Sequence, residues 1–217
     1  MNASTILILD TEVKPDYRFL GPEIARHTPG ETEYREFVAD PQVPSMEEYA
    51  GVVLSGSTAS VYDRETHDEW LDPEFDLIRE CIAEEIPLLG VCFGHQAVNA
   101  ALGGEVVGDT RRTTFVGIEQ TAKAPILDGI GTVVPVLHAD VVTELGEGMV
   151  PTARTAYNEF FCSRHADAPA WTVQFHPEFT AAVSDEPSDW TPGEYGFADT
   201  NSTRVFENFR EQVDGCQ

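Results

Sequence analysis

Lysine is nearly missing from this chain. Lys14 and Lys123 stand alone against eleven arginines, and 38 acidic against 13 basic residues give a formal net charge of −25. A field of that sign repels nucleic acid phosphates and anionic membranes, so neither is expected as a partner. The acids are dispersed, without the block that marks a disordered acidic tail. Such a surface is expected of a halophilic cytoplasm, where molar salt shortens screening to ~3 Å and makes self-repulsion tolerable. Recruitment of a basic partner is the alternative. Signal-peptide pattern and membrane-length apolar run are also missing, and a cytoplasmic protein is expected. The four cysteines, Cys81, Cys92, Cys162 and Cys216, have neither metal-binding nor disulfide-framework spacing, so reduced thiols are expected. No grouping of His, Cys, Asp and Glu has metal-ligand spacing, and Ser55-Gly56-Ser57 lacks the helix and lysine of a phosphate loop. Neither metal nor cofactor is expected. With no internal repeat or low-complexity tract, residues 1–217 are expected to form one domain, long enough to bury a full core.

What is present is concentrated in Gly90-Val91-Cys92-Phe93-Gly94-His95-Gln96. An apolar run, Ile86 to Leu89, reads as a strand before it. A small-residue run, Ala97 to Leu102, reads as a helix after it and is closed by Gly103-Gly104. Strand, sharp turn with flanking glycines, then helix is the setting of a nucleophile elbow, here with cysteine as the nucleophile. Without a Cβ at Gly90 and Gly94 the backbone folds tightly, and the turn is expected to lift the Cys92 sulfur into solvent. The helix dipole at that position favours the thiolate. Cys81, in the preceding helix, reads as core packing; Cys162 and Cys216 have no catalytic context.

A cysteine nucleophile needs a base, and the base needs a third group to orient it. Phe175-His176-Pro177-Glu178 offers both, since side chains two apart share a face in extended chain. Taken singly, His176 is a loop histidine and Glu178 one more acid. Beside the elbow they complete a Cys92–His176–Glu178 triad.

These segments resemble the class I (triad-type) glutamine amidotransferases, whose pattern is G-x-C-x-G-x-Q followed by F-H-P-E. Val52 to Tyr62 looks like the family's oxyanion loop, most like L-S-G-G-P-x-S-V-Y of the GMP synthase glutaminase domain. His138-Ala139-Asp140 with Thr143-Glu144-Leu145 is similar to its S-H-G-D…T-E-L-P stretch. The likeness covers roughly residues 5–180. It implies backbone oxyanion donors at Phe93, Gly56 and Ser57, and substrate contacts from Gln96, His138, Ala139 and Asp140. Ser57 and Thr58 replace the family's second glycine and proline, and Leu137 and Ala139 replace the serine and glycine of S-H-G-D. Serine tolerates positive φ poorly, so the oxyanion hole is expected to be unformed until a substrate or partner turns the Ser57 peptide.

The coarse element order is strand Thr5–Leu9, helix or loop Gly21–His27, strand Tyr34–Val38, a Ser45-x-x-Glu48 capping box, strand Val52–Leu54 and a helix near Asp68–Glu85. After the elbow come strands at Glu105–Val107, Val116–Glu119, Thr132–Val136, Thr152–Ala156 and Thr172–Phe175. A helix over 202–213 places Val205, Phe206, Phe209 and Val213 on one face. Alternating strands and helices predict an α/β fold with a mostly parallel central sheet flanked by helices, which the resemblance makes flavodoxin-like. Residues 184–201 read as a surface connection, or as a flap with Trp190 or Tyr195 over the substrate. His95 is assigned to packing; His27, His67 and His165 are expected at the surface.

The resemblance implies hydrolysis of the glutamine side-chain amide through a cysteinyl thioester, with ammonia passed to a synthetase. The synthetase signature S-G-G-x-D-S is missing, so an ATP-dependent synthetase is expected as a separate polypeptide. A free-standing γ-glutamyl peptidase is one alternative, because Cys-Phe-Gly-His-Gln also occurs in such relatives. A binding or regulatory protein that has lost turnover is the other; its triad would be broken, and this one is intact.

Overall fold

The computed structural model describes residues 4–216. Five parallel strands form one part of the central sheet: β1 (Ile6–Asp10), β2 (Thr32–Glu36), β3 (Gly51–Leu54), β4 (Leu88–Val91) and, from far along the sequence, β10 (Ala170–Val173). They run in the order β2-β1-β3-β4-β10. The sheet then continues antiparallel through β9 (Cys162–His165), β8 (Met149–Arg154) and β6 (Glu119–Gln120). β1, β3, β4 and β10 are buried along their whole length, as strands covered on both faces must be.

Helices α1 (Leu20–His27), α2 (Arg64–Ala83), α3 (Phe93–Ala101) and α4 (Arg204–Gly215) flank this sheet. Two apolar clusters fill the space on its two sides. One joins Ile6, Ile8, Val53 and Leu89 to Phe206 and Phe209 of α4. The other joins Leu7, Leu9, Val52 and Leu88 to Leu77 and Ile78 of α2 and Ala97 and Val98 of α3. The expected alternation therefore produces the expected layers. The predicted face of α4 is the buried one, with Val205, Phe206, Phe209 and Val213 fully enclosed.

Several boundaries differ for physical reasons. α2 starts a turn earlier than predicted, directly after Asp63. It stops at Ala83 because Glu85 adopts a left-handed φ of 55°, which turns the chain into β4. Ser45 makes no capping hydrogen bond, and Met46–Glu48 is a single 3₁₀ turn. The three short strands expected over 105–136 are parts of two long ones, β5 (Glu105–Gly117) and β7 (Val133–Glu144), paired in a separate ribbon. Between Gly108↔Asp140 and Arg112↔His138 this ribbon bulges, with Asp109, Thr110 and Arg111 facing Ala139 alone. β9 has no counterpart among the strands expected from the sequence. The predicted surface histidines His27, His67 and His165 are each half-buried.

One core group breaks the apolar pattern around it. Glu74 shares the buried face of α2 with Trp70, Leu71, Leu77, Ile78 and Cys81, and neither carboxylate oxygen has a hydrogen-bond partner among the described residues. Burial pushes its pKa up to about 8. The folded state thus holds a proton that the unfolded chain releases near 4.5. The stability tied to this proton is fully present below about pH 4.5 and is lost as pH rises toward 8. Glu74→Leu is expected to stabilise the fold, by a margin that widens by roughly 3 kcal/mol between about pH 5.5 and 8.5. Denaturant unfolding at the two pH values checks this; a pH-independent difference would show that Glu74 is ionised in the folded state.

Candidate active site

The site lies where β4 hands the chain to α3. Cys92 occupies the turn with φ 52° and ψ −101°, a conformation rare for any residue with a side chain. The surrounding glycines permit it by close approach. A Cβ on Gly90 would lie 2.5 Å from the carbonyl oxygen of Gly94, and one on Gly94 would lie 2.6 Å from that of Leu54. Two backbone bonds hold the turn, from Cys92 N–H to Val173 O and from Gly94 N–H to Ser55 O. α3 begins at Phe93, immediately after Cys92, four residues before the helical run read from the sequence.

The sulfur is not lifted into solvent: Cys92 is only 3% exposed. The ribbon roofs it, and Sγ sits 3.9 Å from Leu137 O and 3.6 Å from Gln174 Nε2. His176 Nδ1 meets Glu178 Oε1 at 2.7 Å, with both residues buried. The pair meets across a tight turn closed by Phe179 N–H to His176 O, instead of along extended chain. Among the described residues, His176 Nε2 makes no hydrogen bond of ordinary geometry. Burial pulls the His176 pKa down, but the Cys92 sulfur and the Glu178 carboxylate outweigh it and hold the ring well above the usual imidazole value.

Gly56 packs against this pair, and a Cβ there would come within 2.7 Å of His176 Cε1. Ser57 does not need glycine's freedom: among the described non-glycine residues only Glu85 and Cys92 have positive φ. Its hydroxyl donates to Thr11 O, and Glu12 accepts from both N–H and Oγ1 of Thr58. The loop is therefore pinned from the end of β1. The steric reason for expecting an unformed oxyanion hole falls away.

The predicted substrate residues converge on the same cavity, of about 320 Å³, which Cys92, Gln96, His138, Ala139, Asp140 and His176 all line. Gln96 Nε2 donates to Asp140 O and to Gln174 Oε1. Burial lowers the His138 pKa to about 4, so the ring is neutral; Nδ1–H donates to Asp140 O while Nε2 accepts from the Tyr157 hydroxyl. Asp140 accepts from Ser60 Oγ and Tyr62 OH. His95 stays outside: it is fully buried, its Nδ1 meets Thr172 Oγ1, and burial lowers its pKa to about 3.

Sequence reasoning misses Gln174, Glu12, Tyr157, Lys14 and Arg111. Gln174 is legible, because it precedes His176 by two in a chain leaving β10 and so points the same way. The others come from loops and strands far away in sequence. Residues 184–201 lie over β5: Thr191 N–H donates to Thr113 O, and Arg111 pairs with Asp189. Trp190 packs edge-on against Phe115 and Phe179, away from the cavity lining, and Tyr195 is 42% exposed. Among the described residues there is no cluster of three or more potential metal ligands, and no helix is long and apolar enough to cross a membrane.

A mostly parallel α/β sheet that carries a strained cysteine turn in one cavity with His176, itself paired to Glu178, defines an α/β protein with a candidate thiol site. The model of the glutamine amidotransferase class-I family matches residues 28–187, and the chain belongs to that family. It is 40% identical over 107 residues to a lettered subunit, the A component, of the glutamine-hydrolysing GMP synthase of Methanosarcina acetivorans, covering 48% of this chain and 55% of that protein. Against the GMP synthase of Lactococcus lactis it is 33% identical over 137 residues, 61% of this chain and 25% of the other. The chain thus spans about half the length of the Methanosarcina relative. Its fold is like that of a Thermoplasma acidophilum protein described as the same component of a GMP synthase (TM-score 0.74, 19% identity, 98% and 94% of the two chains). A glutamine amidotransferase from Thermotoga maritima is similar (TM-score 0.73, 20% identity, 100% and 86%).

Proposed function

We propose that this protein hydrolyses the side-chain amide of glutamine through a cysteinyl thioester and delivers the ammonia to a separate ATP-dependent synthetase polypeptide. The observation that carries this reading is the strained Cys92 elbow in one cavity with the buried His176–Glu178 pair. Cys92 Sγ attacks the amide carbon, and the oxyanion takes hydrogen bonds from the Phe93 N–H and the Gly56–Ser57 turn. The protonated His176 gives its Nε2 proton to the departing nitrogen. The C–N bond breaks, ammonia leaves, and a γ-glutamyl thioester remains. The now neutral ring takes a proton from water, which attacks the thioester and releases glutamate. Gln96, with the His138–Asp140 backbone beside it, grips the amino-acid end of the substrate.

Support for a separate synthetase comes from the Methanosarcina relative, whose name makes it one component of a GMP synthase and so implies another. Ammonia release from glutamine, measured alone and with a co-purified synthetase and its nucleotide substrate, tests both parts. Absence of Cys92-dependent ammonia in either condition would overturn the hydrolase reading. Release that the synthetase neither accelerates nor consumes would overturn the partnership.

A further inference from the structure

The loop beside Cys92 leaves two backbone donors open and uses the others to hold itself still. Across residues 55–59, Ser55 N–H donates to Leu9 O, Thr58 N–H to Glu12 Oε2 and Ala59 N–H to Ser57 Oγ. The N–H groups of Gly56 and Ser57 make no hydrogen bond among the described residues, and neither does that of Phe93. These are the donors assigned above to the oxyanion. A backbone N–H stabilises developing charge only if it is already in place when the charge appears. What fixes the Gly56–Ser57 turn therefore bears on the rate.

Glu12 supplies the tie next to that turn. Its Oε2 accepts Thr58 N–H at 2.9 Å and its Oε1 accepts Thr58 Oγ1 at 2.5 Å. Glu12 is held in turn: Lys14 N–H donates to Oε1 at 2.7 Å, Glu12 N–H donates to Asp10 Oδ1 at 2.9 Å, and Arg18 Nε donates to Glu12 O at 3.3 Å. Glu12 lines the Cys92 cavity, yet it is buried and both its oxygens already accept from protein donors. The loop pattern L-S-G-G-P-x-S-V-Y has proline where Thr58 stands, and proline has no N–H to donate. In this chain two hydrogen bonds to one carboxylate restrain the backbone where that pattern has a fixed ring.

We infer that Glu12 is a positioning residue for the reaction: it acts through Thr58 and holds the Gly56 and Ser57 N–H groups at the reacting carbonyl without touching substrate. This rests on the thiol chemistry proposed above. Without the carboxylate, Thr58 loses both acceptors and the peptide that follows Ser57 can turn. Two ties remain, Ser57 Oγ to Thr11 O and Gly94 N–H to Ser55 O, so the loop loosens without leaving the site. The oxyanion forms only on attack, so the loss falls on kcat and not on KM. In Glu12→Gln the clamp survives. The amide oxygen accepts the Thr58 N–H, and the amide nitrogen donates to Thr58 Oγ1, a hydroxyl able to accept.

The test combines steady-state ammonia release from glutamine with amide hydrogen exchange at Thr58. Glu12→Ala is expected to lower kcat about 10–100-fold, short of the 10²–10³ that follows removal of an oxyanion donor, with KM changed less than about twofold. Glu12→Gln is expected to keep kcat within about threefold of wild type. Exchange at the Thr58 N–H is expected to rise about tenfold or more in Glu12→Ala and to stay near wild type in Glu12→Gln. Unchanged kcat in Glu12→Ala, alone or with a raised KM, would remove the positioning role or make Glu12 a substrate contact. Equal kcat losses in the two variants would trace the effect to charge, and a kcat loss without faster exchange at Thr58 would trace it to a route outside the loop. Each of these overturns the inference. Should Glu12→Ala not fold, Thr58→Val decides, since it keeps the shape and the N–H and drops the Oγ1 bond. A kcat about threefold lower with KM unchanged supports the clamp, and an unchanged kcat overturns it. If wild type releases no ammonia, the hydrolase reading fails, and Thr58 exchange in wild type against Glu12→Ala decides whether Glu12 fixes the loop.

Discussion

Replacing Cys92 with alanine is expected to lower glutamine turnover by about 10⁴-fold or more while leaving glutamine binding measurable. The size follows from the lack of a substitute thiol in the cavity. Cys81 is buried in α2, where desolvation pushes its thiol up to about 12. Cys162 is fully buried in β9, where burial raises its thiol pKa still further. Cys216 is the C-terminal cap of α4, outside the cavity lining. Neither buried thiol ionises near neutral pH, and a thiol is a weak nucleophile until it does. Removing Sγ leaves the proposed substrate contacts Gln96, His138 and Asp140 in place, which is why binding is expected to survive. Ammonia release and calorimetric titration with glutamine check the two halves. More than trace turnover in the variant would mean that the reaction does not pass through Cys92. Loss of binding would place Cys92 in the ground-state contacts.

Glu178→Gln is expected to reduce kcat by about 10³–10⁴-fold with little change in KM. Glu178 touches His176 and does not line the cavity, so in the proposed mechanism it is a positioning residue. Its carboxylate fixes the tautomer with Nδ1–H toward Glu178, which aims Nε2 at the reacting atoms. It is also one of the charges that hold the His176 ring above its usual pKa, after the Cys92 sulfur. An amide supplies neither the charge nor an obligatory acceptor. The ring in the variant therefore loses its proton at lower pH. The alkaline limb of the kcat profile, which reports loss of the acid that protonates the leaving nitrogen, is expected to move toward acid. A KM defect with normal kcat would move Glu178 into substrate binding. A large kcat loss with an unmoved limb would mean that it orients the ring without influencing its charge.

The cysteine elbow and the His176–Glu178 pair are legible in the sequence because their constraints are local. Gly90 and Gly94 around Cys92 declare a turn too tight for side chains, and His176 with Glu178 two residues on declares an imidazole with a carboxylate within reach. The first βα alternations are equally plain, since apolar runs of strand length lie between helical segments. What the sequence hides depends on partners distant along the chain. No pattern in 105–117 announces one thirteen-residue strand, because its continuity is set by pairing with β7, from Gly117↔Val133 out to Glu105↔Glu144. The strand β9 lies between β8 and β10 and is defined by them. The burial of Cys92 escapes the sequence for the same reason: the elbow raises the thiol to the sheet's end, but the ribbon that roofs it comes from elsewhere.

By itself, then, the chain's order of residues determined the α/β class, the cysteine elbow and the His–Glu pair, since each is written in spacings of a few residues. Tertiary structure alone decided that Glu12 pins the loop of Ser57 and Thr58, that Glu74 lies in the core with no hydrogen-bond partner among the described residues, and that Asp189 holds Arg111 at the cavity. Those contacts join residues 46 and 78 positions apart in the two hydrogen-bonded cases, and side-chain energies at such separations depend on where the whole backbone runs.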